Sequence, residues 1–193
     1  MRVICVNTGD KYDHWYVENL KYMIDEYSGL KYDSFEIIDW EIYGGVYDKL
    51  QMFSRFKDGQ NIYFDLDVLI KGDCNKFLKK EFTVCYAWWR DAWHTPLNSS
   101  IISWYGDVSH IHDYFVEQLD YHLLKYHLGI DQYLYEIHNP KTYRIWLDPH
   151  TTRYDYCSFQ TVTDEQDYDV YLFNQRHEYM KTTQWCQRWF LQS

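Results

Sequence analysis

"NIYFDLDVLI", residues 61–70, is an apolar run that carries two charges. Ile62, Phe64, Leu66, Val68 and Ile70 are apolar, and so are Tyr63 and Leu69. A run of this kind fits a strand covered on both faces, as in an α/β sheet. Two aspartates, Asp65 and Asp67, interrupt it. Residues two apart on an extended chain point to the same side, so the two carboxylates face one way. They repel each other unless something positive lies between them. The pair sits late in its run, and α/β sheets bind ligands at the carboxyl ends of their strands. Hard divalent cations prefer carboxylate oxygens and can bridge them to a diphosphate. We therefore expect Asp65 and Asp67 to serve a metal and a phosphate group. The plainer reading has one aspartate capping a turn and the other solvated.

Nearer the N-terminus, "RVICV" (2–6) predicts a buried strand and "NTGDKYD" a polar loop. Asp13 can cap a helix with Val17, Leu20, Ile24 and Tyr27 on one face and Gly29 at its end. "SFEIIDW" (34–40) predicts a second strand, and the glycines at 44 and 45 break the chain. "VYDKLQMFSRF" (46–56) has helical spacing, and Asp58-Gly59 marks a turn before the opening stretch. Further strands are expected at 82–89 ("FTVCYAWW"), 99–105 ("SSIISWY"), 142–147 ("TYRIWL") and 169–173 ("DVYLF"). The longest helix signal is 109–128, with Ile111, Phe115, Leu119 and Leu123 on one stripe. Strand, helix, strand, helix, strand is an α/β opening. Only 151–168, polar and acidic, reads as soft, and we expect one domain over 1–193.

The chain has 193 residues, enough for a sizeable core. Aromatics reach 21%, and such rings stack on sugars and bases as well as filling cores. A net charge of −10 argues against nonspecific nucleic-acid binding, which needs a basic footprint. It still allows a phosphate ligand if a divalent metal supplies the positive charge. Five scattered cysteines without a C-x-x-C pair suggest buried thiols in a reducing compartment. Charged residues by Asp10 and Lys11 speak against a secretory leader, and no apolar run approaches a membrane span. A cytoplasmic location is the expectation. His110, His112, His122 and His127 fall in the long helix signal without cysteine partners, so zinc is not expected there.

Several stretches, in order, resemble glycosyltransferases of the GT-A fold, which use nucleotide-sugar donors. "IYFDLDVLIKGD" looks like their Asp-x-Asp strand, and "VICVNTGDKYDHWYVENLKYMI" like their first strand, nucleotide loop and first helix. "GGVYDKLQMF" resembles a segment with a lysine before that strand. "LNSSIISW" is similar to an Asn-Ser-Gly strand, with Ser100 in place of the glycine. "GIDQYLYEI" resembles an Asp-Gln motif, and "LFNQRHEY" a terminal loop that carries a histidine. That loop lacks the family's Gly and Lys-Pro, and the chain is short for the fold, which implies a reduced acceptor-binding half.

The resemblance implies a Rossmann-type mixed sheet flanked by helices in a single compact domain. It implies a UDP-sugar donor, a carbohydrate or other hydroxyl acceptor, and Mn²⁺ or Mg²⁺. Asp65, Asp67 and His177 would hold the metal, with Asn174 as the alternative to His177. Thr8, Gly9 and Tyr12 would hold base and ribose. Lys49, Asp65, Leu66, Asp91 and Asn98 would meet donor or transferred sugar, and Asp131 and Gln132 would face the transferred sugar or the acceptor. Asp131 and Asp91 are the candidate catalytic carboxylates. Arg90 could neutralise phosphate, and Trp88, Trp89 and Trp93 could stack on sugar faces, although packing explains them equally. Two rivals remain. One is a phosphatase of the haloacid dehalogenase type, whose Asp-x-Asp normally lies on the first strand. The other is a non-catalytic carbohydrate-binding relic.

Overall fold

The computed structural model describes residues 1–91, 95–137, 155–174 and 176–192. β1 (Arg2–Val6) runs parallel to both β2 (Ser34–Ile38) and β3 (Gln60–Phe64). β3 pairs antiparallel with β6 (Leu97–Tyr105), which pairs antiparallel with β5 (Thr83–Tyr86). The order is β2-β1-β3-β6-β5. A three-stranded sheet, β4-β8-β7, is built from Val68–Ile70, Val170–Leu172 and Tyr156–Ser158.

Side chains alternate along these strands, and both faces are covered. Val3, Cys5, Ile62 and Phe64 join one core with α1 (His14–Tyr27) and the small sheet. Ile4, Tyr63, Ile102 and Trp104 join the other with α2 (Gln51–Arg55), α3 (His110–Glu117) and α5 (Ile130–Ile137). This two-sided burial is why the strands read as unbroken apolar runs. All five cysteines are buried thiols within these layers.

Asp13 caps α1 as expected, its carboxylate accepting the Trp15 N–H at 3.1 Å. The helix buries Tyr16, Val17, Leu20, Met23 and Ile24. β2 stops at Ile38, opposite Val6, because its partner strand stops there. Trp40 beyond it is 71% exposed.

Two expectations change in kind. Residues 61–70 do not form one strand: β3 ends at Phe64, and β4 resumes at Val68 in the second sheet. The helix expected over 109–128 is two, α3 and α4 (Leu119–Lys125), broken at Gln118 with φ −133° and ψ 53°. The break turns α4 so that His122 packs inward against Phe115, Tyr126 and Tyr133, while Leu119 and Leu123 stay only partly buried. The strand expected over 142–147 and Trp93 lie outside the described residues. Among the described residues, no helix is long and apolar enough to cross a membrane.

Gly72, just past β4, offers a test of the second sheet. A Cβ there would lie 1.8 Å from Asp169 Oδ1, whose carboxylate pairs with Lys76 at 2.6 Å. Gly72→Ala should displace Asp169, break that pair and cost about 1–3 kcal/mol, the scale of an overpacked site. Denaturant unfolding measures it; wild-type stability would show that Asp169 has room to move.

Candidate active site

The two aspartates lie on the seam between the sheets. The Asp65 N–H donates to the Ser100 carbonyl of β6 at 2.8 Å, and the Phe173 N–H donates to the Asp67 carbonyl at 2.9 Å. The main-chain bonds of both sheets thus hold the short link. Leu66 turns into the core, and both carboxylates face a cavity of about 500 Å³.

Each carboxylate has its own partners. Lys49 Nζ sits 2.6 Å from Asp65 Oδ1, and the Tyr63 hydroxyl donates to the same oxygen. Lys49 Nζ also donates to Ser99 Oγ at 3.2 Å. Its chain neighbour Asp48 is a fully buried carboxylate. Asp48 accepts the N–H groups of Ile42 and Tyr43 at 2.8 and 2.9 Å and the Thr8 hydroxyl at 2.9 Å. That knot ties the loop after β1 to the lysine. Asp67 is 4% exposed and accepts a hydrogen bond from the Tyr12 hydroxyl. Burial first, and then the charge of Asp65, raises the Asp67 carboxyl above the usual carboxylate range, although Lys11, Tyr12 and Lys49 pull the other way. Burial and the same two aspartates push the Tyr12 phenol far up, so it stays a proton donor.

The far walls come from distant segments. Asn98, Ser99 and Ser100 line the cavity from β6. Asp131, in the first turn of α5, accepts the Ser99 N–H at 2.9 Å and pairs with Arg90 at 2.8 Å. Arg90 also donates to the Leu97 carbonyl, so it stitches the β5–β6 connection to α5. Asn174 closes the side near β8. Its φ of 50° is left-handed, a conformation asparagine tolerates better than most residues, and Asn98 Nδ2 donates to its Oδ1 at 2.9 Å.

A comparison with protein-family models finds no match, and one with curated proteins finds none either. Solved structures do match. A glycosyltransferase involved in the glycosylation of the major capsid of PBCV-1 has a TM-score of 0.65 at 14% identity, over 93% of this chain and 98% of that one. The chain shares the fold of that glycosyltransferase. Two structures of the glycosyltransferase GlyE of Streptococcus pneumoniae TIGR4, one of them the apo form, give TM-scores of 0.46 and 0.48 at 12% identity. The chain spans 44% of their length.

The fold brings most of the expected residues together. Thr8, Tyr12, Lys49, Asp65, Leu66, Asp67, Asp91, Asn98 and Asp131 all line the cavity. Gly9 does not; it is exposed in the loop, with Glu41 the nearest neighbour to a Cβ built on it. Gln132 faces an adjoining cavity instead. Tyr12 lies edge-on to Tyr16 and His177, ring centres 5.0 and 5.1 Å away, with the Lys11 ammonium 4.6 Å from its ring centre. Tyr12 is half-buried in that packing and still lines the cavity.

His177 is not on the cavity wall; Asn174, the other register of the terminal loop, is. Tyr12 explains the separation, since its ring packs on His177 while its hydroxyl reaches Asp67. The buried Nδ1 of His177 has no hydrogen-bond partner among the described residues. Nor, among those residues, do three His, Cys, Asp or Glu side chains come together as metal ligands.

Lys11, Tyr63, Val46, Leu128 and Gln160 also line the cavity and went unrecognised in the sequence. Lys11 had a usable signal, because the loops after β1 and β3 leave the same edge of a parallel pair. Gln160 had none, lying in the stretch that read as soft.

A divalent cation fits the donor set that remains. Two carboxylates plus substrate phosphate oxygens are a common Mg²⁺ arrangement, and oxygen ligands suit Mn²⁺ as well. The raised carboxyl of Asp67 marks buried negative charge that an added cation would relieve.

Proposed function

We propose that this chain is a GT-A-type glycosyltransferase that moves a sugar from a UDP-sugar donor to the hydroxyl of a carbohydrate or similar acceptor. One observation carries the reading: Asp65 and Asp67 face a cavity at a sheet seam, on a fold shared with a solved glycosyltransferase. Keeping a carboxylate buried beside another costs stability, a cost that simple sugar binding has no need of. A phosphatase would need one aspartate free to attack phosphorus. Asp65 is instead bound by Lys49 and Tyr63.

Asp65 and Asp67 would hold Mn²⁺ or Mg²⁺, which when bound supplies positive charge to the diphosphate leaving group. Three cations on the described wall, Lys11, Lys49 and Arg90, face four carboxylates, Asp65, Asp67, Asp91 and Asp131. A diphosphate therefore enters a site with no positive excess, which is why the cation is needed. Lys49 and Lys11 add positive charge on the donor side. In the transfer, the bond from the anomeric carbon to the diphosphate oxygen breaks and a bond to the acceptor oxygen forms. The acceptor's proton needs a base. Both Asp131 oxygens are engaged, by Arg90 and by the Ser99 N–H, which fits a positioning role. Exposed Asp91 is the better-placed acceptor of that proton.

The reading predicts metal-dependent donor binding. UDP-glucose at a hundredfold excess over its Kd should stabilise the fold by about 2.7 kcal/mol when Mn²⁺ is present. A thermal-shift titration with a chelator arm measures this. Equal stabilisation in excess chelator would remove the metal from the reading, and no stabilisation by any nucleotide sugar would remove the donor.

A further inference from the structure

A second cavity of about 420 Å³ adjoins the first. Arg90, Asp91 and Leu128 line both, so the two meet at the exposed carboxylate of Asp91. Tyr86, Tyr135, Gln132 and Glu136 form much of the remaining wall. We propose that this second cavity holds the acceptor and that the acceptor is an uncharged carbohydrate. The inference rests on the glycosyltransferase reading above and deepens it.

A transfer between two substrates needs a second site that meets the first where the bond is exchanged. The shared edge at Asp91 is such a place, and the carboxylate assigned to the acceptor's proton stands on it. The surface chemistry of the second cavity suits a sugar. Tyr86 and Tyr135 bring aromatic rings, which pack on the C–H faces of sugars. Gln132 is pinned at both ends: its Oε1 accepts the Leu128 N–H at 3.2 Å, and its Nε2 donates to Glu136 Oε1 at 3.0 Å. A pre-fixed amide and carboxylate beside rings suit a ligand rich in hydroxyls, which both donate and accept.

Charge narrows the class. Among the described residues, the cation on this wall is Arg90, and its guanidinium is committed to Asp131 at 2.8 Å and to the carbonyls of Leu97 and Thr95. Asp91 and Glu136 stand on the same wall, with Glu136 shared by Lys125 at 3.2 Å from outside it. A sugar phosphate or a lipid-linked diphosphate would meet two carboxylates and a guanidinium already in use. A neutral sugar meets no such penalty.

Saturation-transfer NMR on the full chain with UDP and Mg²⁺ tests this. The probes are methyl α-D-glucoside, methyl α-D-mannoside and methyl β-D-galactoside, against glucose 6-phosphate and mannose 6-phosphate. At least one neutral glycoside should bind, and neither phosphate should. Tyr135→Ala and Gln132→Ala should each weaken glycoside binding about tenfold or more, the scale of a well-seated contact. Both should keep the shift in melting temperature that UDP and Mn²⁺ produce. Glu136→Lys, at an exposed side chain, should let glucose 6-phosphate bind, and it serves if the cavity variants fail to fold. Three results would overturn the proposal: no neutral glycoside binds, the variants bind as tightly as wild type, or the phosphates bind wild type equally well. Loss of the UDP shift in wild type would instead sink the transferase reading itself.

Discussion

Asp67→Asn is expected to abolish sugar transfer while making the ligand-free fold more stable at neutral pH. The two effects share one cause. Asp67 is buried beside Asp65, and both burial and that neighbour disfavour its charge. The amide keeps the shape and removes the charge, so the repulsion goes and so does the group that would hold the cation. Turnover should fall by about 10² to 10³, the usual loss when one charge-stabilising group is removed from a reacting centre. The sign of the pH effect follows from the raised carboxyl. Protonation favours the folded state, so ligand-free wild type loses stability as pH rises from about 3.9, the unfolded aspartate value, through the higher folded one. Below that window both proteins carry a neutral group and should melt alike. Above it the asparagine variant should melt higher. Asp13 and Asp73, whose carboxyls are lowered by hydrogen bonds to Lys181 and to the Asn75 N–H respectively, slope the other way in both proteins. The difference between the two melting curves therefore isolates Asp67. UDP release from UDP-glucose and metal-free melts from about pH 3 to 8 are the measurements. Near-normal turnover, or a variant that melts below wild type at pH 7, would make the aspartate structural.

Lys49→Met should unfold more easily than any cavity-lining variant that keeps its charges balanced. Lys49 and Asp65 form a close pair, with side chains only 11% and 18% exposed. Removing one partner of such a pair leaves a buried charge without its counter-ion and typically costs about 3–5 kcal/mol. For a chain of this size that is a fall in Tm of about 6 to 20 °C. The Tyr63 hydroxyl still bonds Asp65 and softens the loss. Adding Asp65→Asn to Lys49→Met should recover much of the stability, because neither charge remains, but it should not recover transfer. Thermal or urea unfolding of the single and double variants decides it. If Lys49→Met melts like wild type, the pair is solvated in solution and the lysine's role lies with the donor alone.

Much of the fold was legible locally. The apolar run of β1, the Asp13 cap, the helix face of α1 and the positive-φ Gly29 behind it are set by residues within a turn or two of each other. The chemistry of Asp65 and Asp67 was legible for the same reason: two carboxylates in an apolar run are anomalous whatever surrounds them.

Tertiary pairing decided the rest. The stretch 61–70 reads as one strand because both halves are buried. Only the bonds to Ser100 on one side and Phe173 on the other divide it between two sheets and put the carboxylates on the seam. The long helix signal breaks at Gln118, and beyond the break His122 and Tyr126 join Phe115 and Tyr133 in an aromatic cluster that periodicity cannot see. His177 is parted from the aspartates by Tyr12, a residue far from it in sequence. The second cavity exists because Arg90 ties the β5–β6 connection to α5. Hydrophobic periodicity and capping act over a few residues, so the elements and the kind of chemistry they carry are written along the chain. Which walls meet around that chemistry depends on hydrogen bonds and packing between segments tens of residues apart, and only the folded chain decided it.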